Sequence, residues 1–387
     1  MLLGLIGKPN AGKSTFFSAA TNTEVKIADY PFTTIDPNKG ITYFRIPSPA
    51  KLFGVEPQPR NYYVLGDFAF VPINIIDVAG LVPGAHAGRG LGNKFLDEMR
   101  QAEVLIVVVD ASGKTDLEGN PGEGNPLEEV KFLEEEINRW LQAILEKHLE
   151  KIKKKAACTG SSLLNLLHEV LAGVSVKRWQ LQQVLEQVGE PCKENLEEFV
   201  DKLRRISKPF VVALNKADQA ENITEIQREI ERLGYPAFPC SAAAELALKK
   251  AAKQGLISYV PGDSGFEVLS QLDQRQLAAL EYIKERVLER FGSTGVQQII
   301  DYAVLEVAKK IVVFPVENEK LLSDSKGRRL PDAVVLDKDA RLADLARKVH
   351  SELAQHLLYG IDVRTGKKLT KDSRLEHLSA VKLVASI

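Results

Sequence analysis

Short apolar runs alternate with stretches of helical periodicity over about the first 255 residues. The runs lie at residues 2–6, 73–77, 104–110, 210–214 and 237–240. Each run is continuous rather than alternating, which is typical of a strand buried on both faces. Residues 40–45 predict one more strand at the edge. Strands that alternate with helices predict an α/β fold with a mostly parallel sheet and crossover helices.

The pattern becomes purely helical between residues 128 and 207. Glu, Lys, Leu and Ile recur at helical spacing over residues 129–155, and 162–171 and 196–205 repeat that signature. We therefore predict an α-helical insertion in the sheet domain. Its densest basic cluster, KIKKK at residues 151–155, is either a solvated helix end or a contact for RNA or another partner.

The C-terminal part predicts a second, smaller fold after two more helices between residues 268 and 309. Apolar runs at 311–314, 334–336 and 381–384 predict strands, and 341–353 predict a single helix. Strands packed around one helix indicate a small, ubiquitin-like β-grasp module.

These patterns together predict four segments. The α/β domain begins at residues 1–127 and continues with trailing helices at 208–309. The helical insertion takes 128–207, and the β-grasp module takes 310–387.

Composition narrows the possible classes of protein. The net charge of −1 provides no overall positive field, so contact with nucleic acid would need a local basic patch. The three cysteines form no CxxC pair, which argues against a disulfide framework or a structural zinc site. No stretch approaches the ~20 apolar residues of a membrane span. We expect a cytoplasmic protein; the oligomeric state is open, with a monomer favoured because the charged helices show no heptad seam.

A phosphate-binding loop is predicted at residues 7–14, which read GKPNAGKS and fit G-x-x-x-x-G-K-[ST]. The motif follows an apolar strand and opens a helix, as this chemistry requires. Glycines let the backbone wrap a phosphate, and the helix N-terminus adds partial positive charge. Lys13 would neutralise the β- and γ-phosphates, and Ser14 would offer its hydroxyl to Mg²⁺.

Three further motifs follow in order, each at the end of a predicted strand. DVAG at residues 77–80 places Asp77 near Mg²⁺ and Gly80 near the γ-phosphate. NKAD at 215–218 lets Asp218 accept hydrogen bonds from N1 and the exocyclic amine of guanine, donors that adenine does not present there. Ser241-Ala242 would supply a backbone amide to the guanine oxygen.

The motifs resemble those of translation-factor-related P-loop GTPases. More narrowly, DYPFTTIDPN at residues 29–38 resembles the first switch of the Obg family, and GRGLGNKFL at 88–96 resembles the segment after the second switch in its YchF-related branch. The resemblance covers nearly the whole chain, since the C-terminal module is similar to the TGS domain. The nucleotide-binding residues implied are Asn10, Ala11, Gly12, Lys13, Ser14, Thr15, Asn215, Lys216, Asp218, Ser241 and Ala242.

The resemblance also implies switch and metal residues. Thr34, with Thr33 as the second choice, would join Ser14 and Asp77 at Mg²⁺ when the γ-phosphate is present. The catalytic set is then Lys13, Thr34, Gly80 and, as a candidate for positioning water, His86. Asn10 stands where potassium-activated relatives carry asparagine, which makes K⁺ a second candidate cofactor.

Two departures from the family pattern bear on activity. Members of the YchF-related branch often have an altered base motif and prefer ATP, whereas NKAD is intact here, so we predict GTP. Leu81 stands where Ras-like enzymes place the glutamine that orients water, so intrinsic hydrolysis should be slow.

Three hypotheses of function remain open. The first is a GTP-binding switch with slow Mg²⁺-dependent hydrolysis, linked to the ribosome or RNA through the TGS-like module and the insertion. The second is a nucleotide-gated RNA- or ribosome-binding module in which hydrolysis is incidental, and the third an ATP-preferring YchF-like ATPase.

Overall fold

A computed structural model describes residues 1–22, 38–78, 80–81, 84 and 99–386. These residues form two compact units. The first unit comprises 1–22, 38–41 and the described residues from 74 to 299, and the second comprises 42–73 and 300–386. Residues 42–73, which we placed in the α/β domain, thus belong to the second unit, and the helical segment belongs to the first. The four predicted segment boundaries stay a prediction.

The strands in the described residues include every one that the sequence predicts and five that it does not predict. They are β1 (Leu2–Ile6), β2 (Lys39–Pro47), β3 (Tyr63–Leu65), β4 (Phe68–Asp77), β5 (Val104–Asp110), β6 (Phe210–Asn215), β7 (Ala237–Pro239), β8 (Ile257–Ser258), β9 (Glu267–Val268), β10 (Lys310–Val316), β11 (Val334–Asp337), β12 (Leu357–Asp362), β13 (Lys368–Leu369) and β14 (Ser379–Ala385).

The helices of the two units are numbered together in chain order. They are α1 (Lys13–Thr21), α2 (Pro49–Phe53), α3 (Pro126–Thr159), α4 (Leu163–Leu171), α5 (Arg178–Val188), α6 (Leu196–Ser207), α7 (Ile223–Arg232), α8 (Ala242–Lys253), α9 (Gln274–Ile283), α10 (Glu289–Phe291), α11 (Val296–Tyr302), α12 (Leu342–Val349) and α13 (Ser351–Gln355). A π-helical turn, Lys284–Leu288, joins α9 to α10.

The main sheet is mostly parallel, as predicted. Its strands pair in the order β2-β4-β1-β5-β6-β7, with β3 antiparallel to β4. Strands β1, β4, β5, β6 and β7 pair in parallel. Every residue of β5 and β6 is buried, which explains their unbroken apolar sequence. The carboxyl ends of these strands consequently meet at one edge of the sheet.

Between residues 126 and 207 the structure contains helices and no strands, as the periodicity of residues 128–207 predicts. The long helix α3 buries one apolar face that includes Val130, Leu133 and Ile137. The guanidinium of Arg204 on α6 is fully buried and donates to Glu134 of α3 at 2.5 Å and to Tyr235 at 2.6 Å. The ion pair joins α6 to α3, and the hydrogen bond to Tyr235 attaches this helical segment to the rest of the first unit. Helix α5 was not predicted.

The second unit contains a five-stranded sheet with the order β11-β10-β14-β12-β13. The central pair β10–β14 is parallel, and the other pairs are antiparallel. Leu342 and Leu345 of α12 pack against this sheet in a common apolar cluster. This topology agrees with the expected β-grasp module, while its membership of the TGS family stays a prediction.

The predicted helix over residues 341–353 is wrong in one respect. It divides at His350, whose extended backbone (φ −163°, ψ 137°) separates α12 from α13. The Nδ1 atom of His350 accepts a hydrogen bond from the amide of Glu352 at 3.3 Å and so begins the second helix.

Residues 42–73 complete the second unit. The guanidinium of Arg60 pairs with the Asp332 carboxylate, and Asn61 exchanges hydrogen bonds with the backbone of Ala333. The Tyr62 hydroxyl donates to the Leu330 carbonyl at 2.7 Å. These contacts attach a segment distant in sequence to the C-terminal module. Among the described helices, none is both long and apolar enough to cross a membrane.

Candidate nucleotide-binding site

The predicted motifs meet at the carboxyl edge of the parallel sheet. In the sheet register Leu5 of β1 lies beside Asp77 of β4, and Asp110 of β5 lies beside Asn215 of β6. The P-loop follows β1 directly. Parallel pairing therefore brings together the P-loop, Asp77 and the NKAD motif, which are far apart in sequence.

The P-loop requires its glycines because the neighbouring chain is too close for a side chain. A Cβ on Gly7 would lie 2.3 Å from the carbonyl oxygen of Val108. Gly12 has a left-handed φ of +95°, and a Cβ there would lie 2.2 Å from Nδ2 of Asn215. Helix α1 begins at the next residue, with Ser14 and Thr15 in its first turn.

The side chain of Asn215 joins three of the motifs. Its Nδ2 donates to the Ala11 carbonyl at 2.9 Å, and its Oδ1 accepts from the Ala242 amide at 3.0 Å. The residue is only 3% exposed. One buried amide group thus ties the P-loop to the NKAD strand and to the Ser241-Ala242 loop.

Lys216 extends this link to the strand β5. Its Nζ donates to the Asn10 carbonyl at 2.9 Å and to Oδ2 of Asp110 at 2.7 Å. Burial alone would raise the pKa of Asp110, but hydrogen bonds from Lys216, Ser112 and Thr115 hold that pKa below its usual value. Asp110 is therefore ionised, and it fixes a lysine that supports the P-loop.

Ser14 and Asp77 form a pair of hard oxygen ligands. The Ser14 hydroxyl donates to Oδ2 of Asp77 at 3.0 Å. Mg²⁺ in nucleotide sites takes one or two such ligands, with phosphate oxygens and water completing its shell, so these groups fit the ion. Thr33, Thr34 and His86 lie outside the described residues. The described part of the chain contains no cluster of three or more His, Cys, Asp or Glu residues that could hold a metal alone.

Lys13 lies inside the P-loop, where its Nζ donates to the carbonyl of Lys8 at 2.7 Å. Burial lowers its pKa to about 8, although Asp77 and Glu129 oppose that shift. A Cβ on Gly80 would lie 3.2 Å from the same Nζ. The lysine and the DVAG glycine are therefore neighbours, as the motifs predict.

Leu81 is buried in the core beneath the site. It is 1% exposed and packs in the cluster that includes Val78 and Met99. Its amide donates to the Gly7 carbonyl at 3.1 Å. The Leu81 side chain is therefore directed into the core and not toward solvent.

The loop at residues 111–125 contacts the P-loop. Lys8 Nζ donates to the carbonyls of Thr115 and Asp116 at 2.6 and 2.9 Å, and Asn10 Nδ2 donates to the Gly119 carbonyl at 2.9 Å. Lys8 also pairs with Glu129 of α3 at 2.7 Å, and both side chains are almost fully buried. The loop and α3 therefore hold the outer side of the P-loop.

The base-recognition side is supported by residues after β7. The Ser241 amide donates to the Thr294 carbonyl at 2.9 Å. Glu245, completely buried, accepts from the hydroxyls of Thr294 at 2.6 Å and Tyr259 at 2.7 Å. The amides of Ser241 and Ala242 are thus already donating within the protein. A guanine oxygen at this loop would share the Ala242 amide with Asn215 or use later amides of the first turn of α8.

Sequence reasoning missed Lys8, Asp110, Glu129 and Glu245 as parts of the site. For Glu129 a signal existed, because it shares the face of α3 that carries the buried Val130, Leu133 and Ile137. A carboxylate on an apolar helix face needs a cationic partner. The partner itself is 121 positions away and could be found only from the fold.

The fold and this edge define a P-loop nucleotide-binding protein. Residues 2–155 match the family model described as 50S ribosome-binding GTPase. Residues 213–318 match the model described as Obg-like GTPase YGR210-like, G4 motif-containing domain.

Two relatives align with most or all of the chain. An uncharacterized GTP-binding protein of Methanocaldococcus jannaschii is 43% identical over 395 residues, covering 100% of this chain and 99% of that protein. Human Obg-like ATPase 1 is 26% identical over 322 residues, covering 79% of this chain and 76% of that protein.

Two solved structures share the fold. A GTP-binding protein from Pyrococcus horikoshii OT3 matches with a TM-score of 0.82 and 37% identity over 100% of both chains. The Schizosaccharomyces pombe YchF GTPase matches with a TM-score of 0.59 and 19% identity, over 99% of this chain and 97% of that one. The chain therefore belongs to the Obg-like, YchF-related family of GTP-binding proteins.

The buried Lys8–Glu129 pair predicts a pH-dependent stability. Burial raises the pKa of Glu129 to about 7 from its usual 4.5, against the opposing effect of Lys8. The folded protein then holds this proton more tightly than the unfolded chain, so the resulting stability is fully present below pH 4.5 and is lost as the pH rises through 7. Relative to Glu129→Gln, the free energy of unfolding of the wild type should fall by on the order of 1–3 kcal/mol over that interval.

Urea denaturation at several pH values measures this difference. Glu135→Gln is the matched control, since Glu135 is an exposed carboxylate on the same helix. Its difference from the wild type should stay within about 0.5 kcal/mol across the interval. A Glu129→Gln difference that is equally flat would show that Glu129 titrates normally.

Proposed function

We propose that this chain is a GTP-binding switch that hydrolyses GTP slowly to GDP and phosphate with Mg²⁺. The observation that carries the proposal is the Asn215 side chain, which bonds at once to the P-loop and to the Ser241-Ala242 loop. These two bonds would hold a phosphate subsite and a base subsite at a fixed separation. Such an arrangement suits a nucleotide whose two ends are both recognised.

The phosphates would replace internal partners of the P-loop. Lys13 would exchange the Lys8 carbonyl for β- and γ-phosphate oxygens, and the first-turn amides of α1, including those of Ser14 and Thr15, would add further donors. Negative phosphate beside the Lys13 ammonium favours its protonated form, which burial alone disfavours. Binding and protonation of this lysine therefore support one another.

The Ser14 hydroxyl and the Asp77 carboxylate would hold Mg²⁺, with Thr34 as the ligand from the first switch. When bound, the ion neutralises charge that develops on the phosphate oxygens. Gly80 lies beside Lys13, which supports a role for its backbone in contacting the γ-phosphate. Loss of that phosphate would release the contacts of both switches, which is an order–disorder transition.

The base would be read by Asp218. Its Oδ1 is buried and accepts no hydrogen bond in the part of the chain that the structure describes. The N1 and exocyclic amine of guanine are donors that would satisfy this carboxylate, whereas adenine presents an acceptor at N1. A buried acceptor left unpaired costs about 1–3 kcal/mol, which disfavours adenine.

We expect GTP to displace fluorescent GDP at least 100-fold more effectively than ATP does. Asp218→Asn should weaken GDP binding and improve binding of xanthosine diphosphate, whose ring carries an acceptor in place of the exocyclic amine. Equilibrium titration with the four nucleotides measures both effects. ATP and GTP competing equally would instead support the ATPase reading, which the name of the human relative favours.

We expect slow hydrolysis because the side chain at position 81 is buried and offers no group to an attacking water. Since this side chain is buried in the core, Leu81→Gln should leave the single-turnover rate of GTP hydrolysis within about twofold of the wild type. It should also lower stability by about 2 kcal/mol, because the amide would be buried without partners. Leu81→Met, which keeps an apolar side chain of similar volume, is the control for packing.

A tenfold faster rate in Leu81→Gln would contradict this placement. Running the same assay on His86→Ala tests the proposed water-positioning role, which unchanged turnover would eliminate. Running it in K⁺ and in Na⁺ tests the proposed role of Asn10 as a potassium ligand. The Nδ2 of Asn10 donates to the Gly119 carbonyl, so its Oδ1 is the atom that would bind the ion. Equal rates in the two salts would remove the potassium proposal.

A ribosome or RNA partner is the cellular part of the proposal. It is supported by the description of the family model that matches residues 2–155, by the exposed lysines of 151–155 and by the expected TGS-like module. The alternative is a binding module in which hydrolysis is incidental. What separates the two is whether the partner accelerates turnover.

Co-sedimentation with ribosomal particles tests this part. We expect binding with a non-hydrolysable GTP analogue to exceed binding with GDP at least fivefold and to survive moderate salt, because phosphate contacts of low specificity weaken steeply with salt. A reversed-charge variant of Lys151, Lys154 and Lys155 should bind less if the insertion is the contact. Binding that ignores the nucleotide would contradict the switch and favour the incidental-hydrolysis reading.

A further inference from the structure

The carboxylate of Asp218 has one side-chain partner among the described residues. The hydroxyl of Tyr282 on α9 donates to Oδ2 of Asp218 at 3.0 Å. Burial and this hydrogen bond raise the pKa of Tyr282, so its hydroxyl remains a donor at neutral pH. Neither the motifs nor the family match assigns any role to this residue.

A π-helical turn places Tyr282 where it can make this contact. Tyr282 and Arg290 are eight residues apart, which in a regular α-helix leaves them roughly 80° apart around the axis. The π turn Lys284–Leu288 lies between them and accommodates one extra residue. With that residue absorbed, the pair is equivalent to positions seven apart, and the two side chains share one face.

Arg290, on the same face, binds the backbone of the turn that contains Asp218. Its guanidinium donates to the Ala220 carbonyl at 3.0 Å and to the Ala217 carbonyl at 3.4 Å. The backbone on both sides of Asp218 is therefore bound by one residue of this helix, and the side chain of Asp218 is bound by another. The two contacts together fix both the position and the rotation of the carboxylate.

We propose that Tyr282 is a positioning residue for base specificity, which orients the Asp218 carboxylate toward the two ring donors of guanine. This inference rests on the proposed binding of guanine nucleotide. Each carboxylate oxygen has two lone pairs, so a hydrogen bond from Tyr282 leaves Oδ2 able to accept from the base as well. Without the hydroxyl, the carboxylate could rotate and would lose part of its preference for guanine.

The test is Tyr282→Phe, which keeps the ring and removes the hydroxyl. Because Tyr282 is 46% exposed, the loss should be at the weaker end of what a hydrogen bond to a charged group contributes. We expect the Kd for GDP to rise about tenfold, which corresponds to 1.4 kcal/mol. The Kd for ADP should change less than twofold, because adenine does not use Asp218. The ratio of the two constants is the measured quantity.

Two control variants separate positioning from general damage. Tyr359→Phe removes a tyrosine hydroxyl in the second unit, and Leu277→Ala truncates an exposed side chain on α9 itself. Both should keep the wild-type ratio. Thermal denaturation of all variants should show midpoints close to that of the wild type.

Four other results would each overturn the inference. Equal losses for GDP and ADP would mean that Tyr282 only supports the fold, and an unchanged Kd for GDP would mean that its hydroxyl has no role. Tighter binding of GDP would mean that Tyr282 competes with the base. A wild type that fails to prefer GDP over ADP would defeat the proposed guanine specificity itself, and with it the role of Tyr282.

Discussion

The buried amide of Asn215 is the interaction on which the rest of the site depends. It has one donor group and one acceptor, and each is matched to a backbone group of a different motif. An aspartate in its place would lose the donor to Ala11, and a leucine would lose both bonds while leaving buried backbone groups unpaired. The close approach of this amide is also what excludes a side chain at Gly12. Gly12 of the P-loop and Asn215 of the base motif therefore depend on each other, because the position of the Asn215 amide leaves no room for a side chain at residue 12.

Buried charges surround this amide on the phosphate side. Lys8 pairs with Glu129, and Lys216 pairs with Asp110, and in each pair at least one side chain is completely buried. Burying charge is costly, and such pairs commonly stabilise a fold no better than apolar side chains do. Here these pairs orient the backbone, because each lysine also donates to carbonyls of the P-loop or of the loop that contacts it. An apolar contact could fill the same space without fixing those backbone groups.

The sequence was sufficient where a local pattern decides the structure. Unbroken apolar runs predicted both ends of β1 and of β5 correctly. A strand that is buried on both faces can be recognised from its own residues, without knowing which strands pair with it. Strands β12 and β13 were missed, since Gly360 and the polar residues around β13 break the apolar pattern. The motifs located the P-loop and NKAD. The groups that support them were not visible, because Lys8 and Glu129, or Asn10 and Gly119, meet only after the chain has folded.

The base side of the site shows how far that support extends. The strand β6 delivers Asn215 and Asp218 to the sheet edge, but the segment from Ser241 to Gly295 determines how they are held. Gly295 belongs to this support, since a Cβ there would lie 2.1 Å from the Pro239 carbonyl. The turn of Ser293 to Gly295 thus packs directly on the end of β7. Within this turn, the Thr294 carbonyl accepts from the Ser241 amide, and the Thr294 hydroxyl donates to Glu245. The family model that carries the base motif likewise extends from residue 213 through 318. If Asp218 reads the base as proposed, recognition depends on the helices after β7 as well as on β6, because those helices hold the carboxylate and the strand alone does not.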